Sequence, residues 1–328
     1  MKVWCLRILS IVCIIAALLS LAACQKSPED EESDGTVYHT VKFNTNGGSA
    51  IPSIKIKSGE VATRPEDPVL DNYVFCRWEY NNLPWIFNET RVKQDMTLNA
   101  IWGSAEVLFG IDPVDGGLSL TGFNRQEGFD WLNVPSMING KSVVAVSDNA
   151  FEALHEAYTK HIIFPETLKS IGNGSFQDIS KTKITFNGAI TALGESSFER
   201  CTTLEEITLG EGLAEIPYRA FAECTSIKHI NVPNGATVIR EDAFTGCTSL
   251  ITVVLPSTLT SIEDGAFDDC TALKTVFYEG TEEQFDTLDI STLNDAINDA
   301  KVYFYSEQEP AGDGDFWHYN NNGSPIIW

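Results

Sequence analysis

Basic residues are scarce in this chain: 22 Lys and Arg stand against 46 Asp and Glu, a formal net charge of −24 over 328 residues. Residues 1–23 hold Lys2 and Arg7 and no acid, so without them 20 basic residues face 46 acidic ones, a net of −26. A surface of that sign repels phosphate backbones, which argues against nucleic acid as a partner. Histidine is thin as well, with His39, His155, His161, His229 and His318 scattered along the chain. No Gly-x-Ser-x-Gly elbow, His-Glu-x-x-His helix or phosphate-binding glycine loop occurs. The eight cysteines include no Cys-x-x-Cys pair, the local spacing that a structural zinc site uses. The expectation is a protein that is not an enzyme and carries no metal or cofactor. What is present is ordinary globular composition, 43% hydrophobic and 21% charged, in a chain long enough for two or three domains.

The first residues are an address. Ile8 to Leu21 is an apolar run broken only by Ser10, Cys13 and Ser20. It is short for a membrane span and ends in small residues, as a cleaved secretory signal does. Leu21-Ala22-Ala23-Cys24 resembles the bacterial lipobox, in which the cysteine thiol is lipidated and becomes the new N-terminus. The resemblance implies a signal peptide over 1–23 and a membrane attachment at Cys24 by acyl chains alone, with the protein on the cell envelope (outer membrane or cell surface). Residues 24–36 follow as an acidic tether without large apolar residues, with a reach on the order of 20 Å.

Residues 37–103 read as a small all-strand module. Val37 to Phe43 alternates as a strand does, and Asn46-Gly47-Gly48 tolerates the positive φ of a tight hairpin. Ile51 to Ile56 is a second short strand with Pro52 near its start. Tyr73, Phe75 and Trp78 begin an aromatic core, which Thr97-Leu98-Asn99-Ala100-Ile101-Trp102 closes. With Gly59, Pro65, Pro68 and Asp95, these residues resemble the internalin-type B repeat (the Listeria–Bacteroides repeat), a β-grasp-like module of bacterial surface proteins. The chain departs from that pattern at Cys76-Arg77, where the family has a glycine before the tryptophan. Cys76 is expected to be half-buried and inert rather than reactive.

The strongest pattern is a repeat. Phe151, Phe176, Phe198, Phe221, Phe244 and Phe267 are spaced 25, 22, 23, 23 and 23 residues apart. Cys201, Cys224, Cys247 and Cys270 each follow a Phe by three residues, and an aliphatic precedes every Phe by five, from Val146 to Ile262. One short strand and one tight return cannot close a core alone, so each turn exposes its apolar side until a neighbour stacks on it. The expected fold is therefore mainly β, a solenoid of short strands with the phenylalanines in single file inside. Asp242-Ala243-Phe244-Thr245-Gly246-Cys247-Thr248-Ser249-Leu250, with Val253-Val254-Leu255-Pro256, resembles the BspA-type leucine-rich repeat. That resemblance covers 104–305, with an opening coil near Leu118–Gly140 and a terminating coil from Tyr278 to Tyr303. The four stacked thiols read as a buried ladder filling small interior spaces, with a disulfide disfavoured by their parallel side-chain vectors.

On the concave side the outward strand positions are His161 and Ile163, Lys183 and Thr185, Glu206 and Thr208, His229 and Asn231, Thr252 and Val254, and Thr275 and Phe277. Six strands span on the order of 29 Å. Ile163, Val254 and Phe277 are apolar in slots expected to face solvent, so this face is the expected binding surface, centred on Val254, Phe277 and His229. The alternative is that they are no more than β-favouring side chains. Residues 306–328 form an aromatic tail, Phe316-Trp317-His318-Tyr319 and Trp328, expected to pack on the terminal coil, with carbohydrate stacking as the other reading. The family resemblance implies a surface adhesin whose partners are host or neighbouring-cell surface or matrix proteins. A periplasm-facing scaffold and a glycan-binding module are the alternatives.

Overall fold

Two kinds of sheet result from these two kinds of pattern. A computed structural model describes residues 36–87, 89–123, 131–152, 160–310 and 314–328; Cys24 and nearly all of the acidic tether lie outside the described residues. The alternating segment 38–104 folds into a five-stranded sheet in the spatial order Ile54–Lys57, Tyr38–Asn44, Met96–Ser104, Tyr73–Tyr80, Leu83–Pro84. Its two central strands run parallel, with Val41 opposite Met96, as in a β-grasp. Asn46 and Gly47 take φ of 48° and 102° in the hairpin. Gly48 has a different reason to be glycine, since a Cβ there would meet the Trp102 ring at 2.5 Å. Phe75 and Trp78 are buried with Val41 and Leu98. Tyr73, expected in that core, is 45% exposed; it shares Phe75's side of the strand but sits at the strand's first residue, where it lines a cleft instead. The second strand begins at Ile54 rather than Ile51, leaving Pro52 outside the ladder, where its missing N–H is harmless.

Past Ser104 the chain turns through the short helix Ala105–Leu108 into the solenoid. The six phenylalanines stand in single file. Each is fully buried, and successive rings stack at 5.3, 5.2, 5.5, 5.3 and 5.1 Å between centroids. Between coils, the Phe backbone N–H donates to the carbonyl just ahead of the next Phe, from Phe151 to Ser175 through Phe244 to Ala266. The last N–H in the series, on Phe267, has no further repeat to meet. It donates instead to the buried Asn294 side chain, whose amide also donates to the Glu263 carbonyl. A terminal coil needs such a substitute partner because a buried N–H without one costs free energy.

From Phe176 onward, each return is made by two left-handed residues flanking the Phe. Asn149, Gly174, Ser196, Arg219, Asp242 and Gly265 lie two before a Phe, and Asp178, Arg200, Glu223, Gly246 and Asp269 two after, all with positive φ. Seven of these eleven are Gly, Asn or Asp, which tolerate the left-handed region, so stacking imposes the geometry against local preference only at Ser196, Arg200, Arg219 and Glu223. Ser196, at φ 50°, has no side-chain partner to lose among the described contacts. Ser196→Gly is therefore expected to stabilise the protein by about 1 kcal/mol, read as a rise in the urea midpoint at unchanged m-value.

The concave side differs from expectation at one coil. The strands Trp131–Asn133, His161–Phe164 and Lys183–Phe186 form one parallel sheet, while His229–Asn231, Thr252–Leu255, Thr275–Tyr278 and Lys301–Tyr305 belong to another. Between them the segment 204–209 makes only an isolated bridge, Leu209 to Ile190. The continuous sheet is thus interrupted. Leu209 bridges to Ile190 rather than to Phe186, and no ladder joins it to His229–Asn231 among the described residues, although the legs from Phe198 to Leu209 and from Phe221 to Val232 are equal in length.

Candidate functional site

The alternation that buries Ile184, Ile230 and Val253 leaves the intervening residues on the concave face. His161, Ile163 and Thr185 are half-buried there; Lys183, Glu206, Thr208, His229 and Asn231 are exposed; Thr252 and Thr275 are half-buried. Neighbouring coils pair them laterally. His161 Nε2 lies 2.8 Å from the Thr185 hydroxyl, His229 Nδ1 2.7 Å from that of Thr252, and Lys183 binds Glu205 at 2.5 Å. Burial, helped by Lys183, pushes the His161 pKa down, so its imidazole is neutral at physiological pH.

Val254 and Phe277, expected to be exposed centres of binding, are instead covered. They are 5% and 6% exposed and form a second small core with the fully buried Trp317. The tail strand Phe316–Tyr319 adds to Lys301–Tyr305 and curls over the concave side. Trp317 lies 5.3 Å from the Phe277 ring, and its Nε1–H donates to the Tyr278 carbonyl at 3.0 Å. The Tyr319 hydroxyl donates to Glu279. An apolar residue on a solvent-side slot invited either a partner or a lid, and the lid belongs to the chain itself.

At the other end of the face a cleft of about 920 Å³ opens between the module and the solenoid. One wall is the module loop from Arg64 to Leu70 with Tyr73; the other is Asn133–Ser136 with the strand ends at Ile163–Glu166 and Thr185. Two of the expected concave residues, Ile163 and Thr185, line it. The walls are held together rigidly. Asp67, with its side chain only 4% exposed, accepts from Arg64 at 2.6 Å and from Asn133 Nδ2 at 3.1 Å across the junction. Val74 and Cys76 pack into the solenoid core beside Leu108, and Ala105 N donates to the Asn72 carbonyl. Burial pushes the Asp67 carboxyl above its usual range even against the pull of Arg64. Its contribution to stability therefore grows as pH falls through that raised value. Sequence reasoning missed this cleft: Pro65 and Pro68 entered only as part of the B-repeat resemblance, and residues 133–136 only as part of the opening coil.

The thiol ladder is structural. Cys201, Cys224, Cys247 and Cys270 are buried, and each S–H donates to a Phe carbonyl of the preceding coil at 2.7, 3.0, 3.1 and 3.2 Å. Desolvation raises all four pKa values, that of Cys270 to about 12. Iodoacetamide at pH 8 is expected to leave these four unlabelled in the native protein and to label them in 8 M urea. Native-state labelling of any of them, read by peptide mass, contradicts the ladder.

Stacked 23-residue coils, a file of phenylalanines and a lidded concave face define a leucine-rich-repeat solenoid. Residues 125–251 and 214–311 match the family model of the BspA type leucine rich repeat region, in six copies, and residues 39–101 match that of the Listeria-Bacteroides repeat domain. The first match spans more than half of the chain, and the protein belongs to the BspA-type leucine-rich repeat family. Two proteins of Evansella cellulosilytica, one named as a membrane protein and one as a Gly-rich membrane protein, are 33% and 34% identical over 67 residues, 20% of this chain. The match spans only 10% and 8% of those relatives' own lengths. Among solved structures, the chain is similar to a leucine rich cell surface protein of Faecalibacterium prausnitzii, at 29% identity, covering 54% of this chain and 39% of that one with a TM-score of 0.37. It is also similar to a leucine rich repeat protein of T. pallidum, at 20% identity, covering 60% and 95% with a TM-score of 0.49.

Proposed function

We propose that the protein is a lipid-anchored lipoprotein of the cell envelope that binds other proteins at the cell surface and catalyses no reaction. The observation that carries this reading is the unequal treatment of the concave face. Its C-terminal half is sealed by Trp317, while the half from His161 to Asn231 stays open to solvent beside a rigid cleft. On either side of the break at 204–209 the open strip is cross-linked laterally, by His161–Thr185 and Lys183–Glu205 before it and by His229–Thr252 after it, which lowers the ordering cost of association. The polar side chains of that strip pair with one another across coils rather than converging as nucleophile, base and orienting group. Leu21-Ala22-Ala23-Cys24 supports the lipid anchor, and membrane attachment needs no spanning helix. Trypsin applied to intact cells should release peptides of the solenoid, and Cys24→Ser should move the protein from the membrane fraction to the soluble one. Adherence of such cells to a matrix-protein-coated surface should fall about 10-fold in the Lys183→Ala/Glu206→Ala/His229→Ala variant. Failure of shaving to release any solenoid peptide rejects the surface location, and unchanged adherence of the triple variant rejects the strip.

A further inference from the structure

The cleft between module and solenoid has a definite chemical bias. Its lining is largely apolar: Ile163 is half-buried on a strand whose lateral neighbours are Asn133 and Thr185, and Phe75, Leu70 and Val134 line the same cleft. Its walls carry four prolines, Pro65, Pro68, Pro135 and Pro165. Proline has no N–H, so these walls present carbonyl oxygens and ring carbons but little to donate. The charged groups lean the same way. Glu66 and Glu166 are exposed at the rim, whereas the one lining cation, Arg64, is engaged with Asp67 and lies 6.0 Å from the Phe75 ring. The Asn133 Oδ1 atom is buried without a hydrogen-bond partner, one more acceptor at the junction. A largely apolar lining with an acceptor-rich, anionic rim selects an apolar group flanked by donors and positive charge.

We propose that this cleft docks an extended peptide segment of a protein partner, which seats one large apolar side chain on Ile163 and flanks it with lysine or arginine at Glu66 and Glu166. The inference rests on the binding reading above and names the chemistry of the partner. The volume suits one large side chain with its adjoining backbone, since ligand clefts run from about 300 to 1,000 Å³. Because the module is fused to the solenoid through a shared core, both walls are in place before binding. The B-repeat-like module is then half of a binding site rather than a spacer.

The test uses the full-length protein and a fluorescein-labelled octapeptide, Gly-Lys-Arg-Leu-Phe-Arg-Lys-Gly, followed by anisotropy. Two control peptides replace every Lys and Arg by Glu, or Leu and Phe by Ser. The basic apolar peptide should bind about 10-fold or more tighter than either control. Ile163→Glu should weaken it by a similar factor. Glu66→Gln/Glu166→Gln, at exposed rim positions that do not threaten folding, should weaken it and flatten its salt dependence. Equal binding of the three peptides, or wild-type affinity in both variants, overturns the proposal. Absence of peptide binding while cells still adhere through the His229 strip overturns the cleft alone. Peptide binding by a protein that shaving never releases leaves the cleft standing and overturns only the surface location.

Discussion

Phe221→Ala is expected to destabilise the solenoid by about 3–5 kcal/mol, the range for removing a large aromatic from a packed core. Phe221 is fully buried at the middle of the file, with Phe198 at 5.5 Å on one side and Phe244 at 5.3 Å on the other. Neither neighbour can readily collapse into the void, because the backbone of each is fixed to the next coil, Phe198 N to the Ala220 carbonyl and Phe244 N to the Ala266 carbonyl. In a stacked array, stability is close to a sum of nearest-neighbour interfaces, and this change weakens two of them at once. Urea unfolding should show a lower midpoint together with a lower apparent m-value, as the two halves of the solenoid begin to unfold separately. A loss below about 1 kcal/mol would falsify the stacked file as the main source of cohesion.

Removing the tail after Pro310 should produce the second large effect. Trp317 is fully buried and keeps Val254 and Phe277 at 5% and 6% exposure. Deletion uncovers that small core together with Tyr303 and leaves the Lys301–Tyr305 strand as a bare edge. The expected cost is about 3–5 kcal/mol, comparable to truncating a buried tryptophan, and the truncated protein should bind a hydrophobic dye and self-associate. Trp317→Ala should reproduce most of the loss. Were the truncated chain to remain monomeric, dye-silent and as stable as the intact one, the tail would not be the lid described here.

The two expectations about apolar residues on the concave face came out differently for one reason. Alternation along a strand such as Thr252–Leu255 states that Val253 and Val254 lie on opposite sides; it does not state what covers either side. Val254 and Phe277 met the chain's own Trp317, whereas Ile163 met a cleft, and both outcomes involve residues far away in sequence. The cleft joins residues from 64–75, 133–136, 163–166 and 185–187, four segments brought together only by folding. The sheet break at 204–209 could not be read from spacing, since the legs from Phe198 to Leu209 and from Phe221 to Val232 are equal; it is a matter of hydrogen-bond register.

Period alone determined the repeat, the interior file from Phe151 to Phe267 and the buried thiol ladder, since each follows from local spacing that only stacking can satisfy, and strand alternation determined the small module. The tertiary structure decided which half of the concave face stays open, that Asn294 closes the last coil, and that the module shares a core and a cleft wall with the solenoid. The division has a physical cause. A repeating contact is written once per turn and so is visible in one dimension, whereas a lid, a cap or a cleft is a single meeting of distant segments that leaves no period behind.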